Sequence, residues 1–227
     1  MAREISNGAI LKGSLQLAAG TTSLSPLTLQ SGTNLTAATA GAMEYDGRIA
    51  YLTPSATSGR AFLPSTLIYR LNADLVGGTG TAAQKVLGVG ITLPASTIYE
   101  FEYLFTFTKA TGTTSHSVSL NFGGTATFNN ALHSAIETST NTAGTTAALQ
   151  FVTSMTSTIG YNMGTTASVS LTAIGRGTVS VNATGTLIPQ FTLSANPGAA
   201  YSTIAGSYLA LWPIGASGAN TSVGVWA

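Results

Sequence analysis

The chain contains no cysteine, so neither a disulfide framework nor a thiolate metal site can organise it. Charge is nearly as scarce: Asp, Glu, Lys and Arg make up 7% of the 227 residues, against about 25% in an ordinary soluble domain. A net charge of +1 leaves no concentrated basic stripe of the kind that a nucleic-acid or acidic-lipid partner requires. Long apolar runs are missing too. No stretch approaches the roughly 20 apolar residues that span a bilayer, and "MAREISNGAILKGSLQLAAG" lacks the uninterrupted apolar core of a signal peptide. The expectation is a chain made in a cytoplasm and soluble until it assembles, with no nucleic acid and no membrane among its partners.

Residues that do chemistry are equally sparse. The two histidines, His116 and His133, show no His-x-x-x-His or His-Glu spacing for a metal. No Gly-x-Ser-x-Gly marks an esterase elbow, and "GGTG" at 77–80 lacks the lysine of a phosphate loop. Glu100 and Glu102 share a strand face, as the carboxylates of a glycosidase can. Carboxylates alternating with aromatics are more often the solvated side of an amphipathic strand. Tyr201, Tyr208, Trp212 and Trp226 serve either packing or a sugar platform. The expectation is no enzyme, no cofactor and no metal.

What the chain does have is Thr, Ser and Asn where Lys and Glu normally sit. Such a surface is weakly hydrated and easily buried against other subunits, which favours an assembly component. Strand signals dominate from residue 97 onward. "IYEFEYLFTFT" alternates strictly, with Tyr99, Phe101, Tyr103, Phe105 and Phe107 on one face and Glu100, Glu102, Thr106 and Thr108 on the other. "SHSVSLNFGG" repeats the pattern. "TASVSLTAIGRGTVSVNATG" reads as two strands joined by a Gly-Arg-Gly hairpin turn at 175–177. "TLIPQFTLSA" and "GSYLALWPIG" follow as strands, with Pro189 and Pro213 expected at edges, strand ends or bulges. "TTAALQFVTSM" at 145–155 is the one helix candidate. The expected fold is all-β: a sandwich of jelly-roll type over 97–227, with at most one short helix.

Residues 1–70 differ. Short apolar pieces are broken by Gly, Pro and Ser, and none can build its own core. This segment reads as an extended arm that orders by pairing with another chain or with the following domain, and 71–96 as a Gly-rich joint. Leu11, Leu15, Leu17, Leu27 and Leu29 are the arm's candidate contact residues, buried when its strands add to neighbouring sheet edges.

Within the arm, "SPLTLQSGTNLTAATAGAMEYDGRIAYLTP" resembles a segment common in virion proteins of tailed bacteriophages. "GTLIPQFTLSANPGAAYSTIAGSYLALWPIG" resembles the closing strands of the same kind of protein. The resemblance implies an arm or shoulder ahead of a compact β-domain, often in homotrimers, and a place in the virion. It implies a capsid decoration or cement protein that contacts the major capsid protein, or alternatively a short tail fibre that binds a host surface glycan. "GAMEYDG" then reads as a tight corner: Gly41 and Gly47 permit positive φ and Asp46-Gly47 is a turn dipeptide. Tyr45 is expected to bury its ring, and Glu44 to accept hydrogen bonds from Arg48 or Arg60 of a neighbouring subunit. The other reading of Glu44 and Asp46 is an acid/base or cation-holding pair.

Overall fold

A computed structural model describes residues 16–139, 148–218, 220 and 222–226. The described secondary structure is entirely β. The arm contributes β1 (Met43–Tyr45), β2 (Ala50–Ser55) and β3 (Gly59–Leu63), which pair antiparallel as a small three-stranded sheet. Then come β4 (Leu67–Arg70), β5 (Leu75–Val76), β6 (Gln84–Lys85) and β7 (Ile91–Leu93). The long strands are β8 (Thr97–Lys109), β9 (His116–Gly123), β10 (Thr127–Ser139) and β13 (Val169–Ala183), with β11 (Ala148–Val152) and β12 (Ile159–Gly164) between the last two. The chain closes with β14 (Gly185–Leu193), β15 (Ser202–Thr203) and β16 (Tyr208–Ala216).

These strands form a sandwich of two antiparallel sheets. The larger runs β11-β10-β13-β8, then β16 and β15 side by side along β8, then β4 and β5. The smaller runs β12-β9-β14, flanked by β6 and β7. Strands of the sandwich therefore begin at Leu67, inside the expected arm, and the expected joint supplies β5 to β7.

The alternation in β8 does what its sequence implies. Tyr99, Phe101, Tyr103, Phe105 and Phe107 are all buried, while Glu100, Glu102, Thr106 and Thr108 face outward. The rings cross the inter-sheet gap: Phe101 meets Phe122 of β9 edge-on at 5.4 Å, and Phe107 meets Phe191 of β14 at 5.2 Å. Edge-to-face contacts at this spacing add specific attraction to the burial of large apolar rings.

Two expectations fail, for physical reasons. Gly175 and Gly177 do not make a turn; both lie in the middle of β13, which is continuous over 15 residues. Their bareness makes room for aromatics. A Cβ on Gly175 would stand 2.3 Å from Cζ of Tyr103, and one on Gly177 would stand 2.7 Å from Cζ of Phe101. The rings of β8 lie across β13 over its backbone, which glycine in a strand interior permits. The helix candidate at 145–155 also fails. Residues 145–147 lie outside the described residues, and 148–152 form β11, paired with β10 from His133↔Val152 to Glu137↔Ala148. Cross-strand pairing overrides a weak local helix preference. The prolines conform: Pro189 sits in β14 at the gap between the β6 and β7 pairings, and Pro213 adjoins a register shift in β16.

Candidate functional site

The arm from residue 16 to 42 contains no strand. Its leucines point to solvent: Leu17, Leu24, Leu27, Leu29 and Leu35 are all exposed, Leu24 at 72% and Leu27 at 58%. Leu11 and Leu15 lie outside the described residues. Leu24 and Leu35 were not singled out from sequence, although the same spacing of leucine among Ser and Thr marks them.

The small sheet organises the end of this arm. Asp46 turns the chain between β1 and β2, its Oδ1 accepting from the backbone N–H groups of Arg48 and Ile49, each at 2.8 Å. Its Oδ2 accepts from the Tyr51 hydroxyl at 3.0 Å. Gly47, at φ 91°, and Gly41, at φ 80°, take the left-handed conformations that a β-carbon disfavours. The corner read from GAMEYDG is therefore present. Tyr45 is half-buried rather than buried.

Glu44 pairs within its own chain. Arg60 Nε donates to Oε2 at 2.6 Å and Nη2 to Oε1 at 3.1 Å, a two-pronged ion pair from β3 to β1. Two-pronged Arg–carboxylate contacts fix geometry as well as charge. The pair also grips the arm: Leu35 N–H donates to Glu44 Oε1 at 2.5 Å, and Arg60 Nη2 donates to the Leu35 carbonyl. Gly32 N–H donates to the Tyr45 carbonyl at 2.9 Å, so residues 32–35 run beside β1. The donor expected from a neighbouring subunit is thus Arg60 of the same chain. Arg48 does not bond Glu44; its backbone N–H goes to Asp46.

These bonds decide what the two carboxylates can do. The Arg60 guanidinium, with the Leu35 amide, holds the Glu44 carboxyl below its ordinary value. Burial works against charge at Asp46, yet the Ile49 and Arg48 amides and the Tyr51 hydroxyl outweigh it and hold that carboxyl low as well. Tyr51 is pushed up to about 12, by burial first and then by its bond to Asp46. Both carboxylates are ionised and engaged. Neither is placed as a proton shuttle, and among the described residues no group of three or more His, Asp or Glu could hold a metal ion.

The remaining candidates disperse. Glu102 lies on the outer face of β8 with the Tyr208 hydroxyl donating to it at 3.3 Å. His116 and His133 sit apart in the core, each bonded through Nε2 to a tyrosine hydroxyl at 2.7 Å, Tyr201 and Tyr103 respectively. Sequence reading missed Glu137, which is fully buried on the inner face of β10 with neither oxygen hydrogen-bonded among the described residues. The alternation of "ALHSAIETS" places it inward, in phase with Ala131, His133 and Ala135. Burial pushes its carboxyl up to about 7 and pushes His133 down to about 4.

No family model, curated protein or solved structure matches the chain.

Proposed function

We propose that this chain is a structural protein of a bacteriophage virion: a homotrimeric decoration protein that clamps adjacent capsomers by binding the major capsid protein. The observation that carries the reading is the arm, a run of exposed leucines with no core of its own, gripped at Leu35 by the small sheet. Exposed apolar side chains beside unpaired backbone suit strand addition to a neighbouring sheet edge. The scarcity of charge supports the reading, since such a surface is easily covered in an assembly. So does the resemblance at 25–54 and 185–215.

One observation favours a second reading. Tyr208 and Trp212 share the outer face of the larger sheet with Glu100 and Glu102, a grouping of aromatic and carboxylate that would suit a glycan on a short tail fibre. Copy number on the particle separates the two, because icosahedral shells and tails impose different symmetries. Quantitative mass spectrometry should find hundreds of copies per particle. A dozen or so would favour the tail.

A further inference from the structure

One edge of the sandwich encloses an acid that nothing compensates. Glu137 is fully buried, and neither of its carboxyl oxygens has a hydrogen-bond partner among the described residues. A carboxyl so placed is tolerated neutral and opposed when charged. Toward the sheet's end its strand is covered by β11, the last strand of the larger sheet. This strand pairs with β10 alone, setting Ala148 opposite Glu137, Gln150 opposite Ala135 and Val152 opposite His133. Its own packing is light, since Phe151 is 72% exposed and its ring buries little. Gln150 bridges the gap to the smaller sheet. Its Nε2 donates to the Gly160 carbonyl at 2.7 Å, and its Oε1 accepts from the Gly160 N–H at 3.2 Å. Strand and clasp together wall off the space between the sheets beside Glu137.

The elements packed around Glu137 supply no counter-charge. From β8, Tyr103 stands near enough for a charge on Glu137 to act on it, and its hydroxyl lies 2.7 Å from His133 Nε2. Lys109, the one cation of β8, gives its Nζ to the carbonyls of Gly112 and Thr166. Glu100, Glu102 and Arg176 alternate onto the outer face of β8 and β13, and β13 sets Ala173 opposite Glu137. From the smaller sheet, β9 brings His116, bonded to Tyr201, and β12 brings Tyr161. Neither β11 nor residues 140–147 hold a titratable side chain. His133, on the same face of β10, is enclosed by the rings of Phe101, Tyr103 and Phe122 at 5.4 to 5.6 Å. Those rings belong to β8 and β9, so His133 stays covered when β11 leaves.

We infer that β11 is a pH-sensitive gate: it lies closed over the protonated Glu137 side chain and parts from β10 when that carboxyl loses its proton. A charge without donors is stabilised only where water reaches it. Parting a short edge strand disturbs far fewer contacts than opening the core, so the edge is where the opening occurs. The sign follows from the two states of the strand. Closed, burial pushes the carboxyl up to about 7; open, it returns toward its ordinary value of 4.5. Closure is therefore fully supported below 4.5 and loses that support as pH rises to about 7. Opening bares the backbone edge of β10, so the chain gains an unpaired strand edge at the pH where the acid is charged.

The test is hydrogen exchange of the intact chain at pH 5 and pH 8, read as protection factors so that the intrinsic pH dependence of exchange is removed. In the wild type, the β11 amides and that of Gly160 should be protected well below those of β13. Their protection should fall on the order of a hundredfold from pH 5 to pH 8. Glu137→Gln should remove the fall. Gln150→Ala, at a partly exposed position, should lower protection at both pH values and keep the fall. Protection of β11 that does not change with pH overturns the gate, because the opening then leaves Glu137 dry. Protection equal to that of β13 also overturns it, because the strand then leaves only with the whole fold. Both outcomes are read on the wild-type chain and stand even if Glu137→Gln fails to fold. In that variant, protection that drops toward pH 5 would show His133 opening with the strand, and the gate would fail on that result too.

Discussion

The small sheet and the sandwich treat their acids in opposite ways. In the arm, Glu44 and Asp46 are surrounded by donors drawn from their near sequence: two amides and a hydroxyl for Asp46, a guanidinium and an amide for Glu44. In the sandwich, Glu137 is fully buried and has no hydrogen-bond donor among the described residues. The first arrangement favours the charged carboxylate, and the second favours the neutral acid. The two regions should therefore respond to pH in opposite directions. The small sheet is held in shape by charge, while the sandwich holds itself together by apolar packing and tolerates a stranded acid.

The largest effect should come from separating the two regions. Deleting residues 1–40 should abolish binding to undecorated particles while leaving the melting temperature of the sandwich nearly unchanged. Of the leucines removed, Leu17, Leu24, Leu27, Leu29 and Leu35 are exposed and contribute little to the sandwich core. Binding by the intact chain should also survive a few hundred millimolar salt, because apolar burial and backbone pairing are not screened as surface ion pairs are. Full occupancy by the truncated chain would mean that the sandwich, not the arm, carries the attachment.

Next in size is a change confined to the sandwich. Gly175→Val places a side chain where Tyr103 already lies, and Tyr103 is pinned by its bond to His133. Overpacking of this kind costs about 3 kcal/mol, which in a chain of this length lowers the melting temperature by roughly 10 °C. Thermal unfolding reads it directly, and a shift of a degree or two would show that the rings of β8 can move aside.

Glu137→Gln should act in the other direction. The neutral acid is favoured by burial, so its contribution to stability is full below the ordinary value of 4.5 and is lost as pH rises to about 7. Replacing it should stabilise the chain above pH 7 by on the order of 3 kcal/mol, with the two curves converging below pH 4.5. His133 is held neutral by burial and works oppositely, losing stability as pH falls from 6.5 to about 4. It is present in both chains and cancels in the difference. Urea unfolding at a series of pH values measures this, and a difference independent of pH would show that Glu137 is not stranded.

Legibility in the sequence divides along the same line. The β8 aromatics could be read because period two is a local signal and each ring faces the core. The role of Gly175 and Gly177 could not, since the rings they admit belong to a strand some 70 residues earlier and glycine pairs are ordinarily punctuation. The β11 segment misled because "AALQFV" is short and apolar, a pattern common to both helix and strand. In the arm, the Asp46-Gly47 corner and the involvement of Arg60 were visible, because turn chemistry and scarce charges stand out. Which chain supplies Arg60 was not visible, because nothing in the order of residues says whether an arm folds on itself or on a neighbour. The clasp of Gln150 on Gly160 also escaped, since it exists only once β10, β11 and β12 are in place.

The smallest effect belongs to the corner itself. Gly47 adopts φ 91° beside the Asp46 turn, and a β-branched residue there meets the following carbonyl. Gly47→Val should cost about 1–2 kcal/mol, and the loss should stay local because the corner lies outside the core of the sandwich. Gly47→Asn should cost less, since asparagine enters the left-handed region more readily than other side chains. Hydrogen exchange separates this from a global effect. In the valine variant, the amides of Leu35, Arg48 and Ile49, which bond to Glu44 and Asp46, should lose protection while those of β8 and β13 keep theirs. Acid should produce the same local pattern in the wild-type chain. Both carboxyls are held below their ordinary values, so the support they give is present above those values and is lost as pH falls through the lowered ones. If valine loosened β8 together with the corner, the small sheet and the sandwich would be one cooperative unit, and the contrast between the two regions would fail.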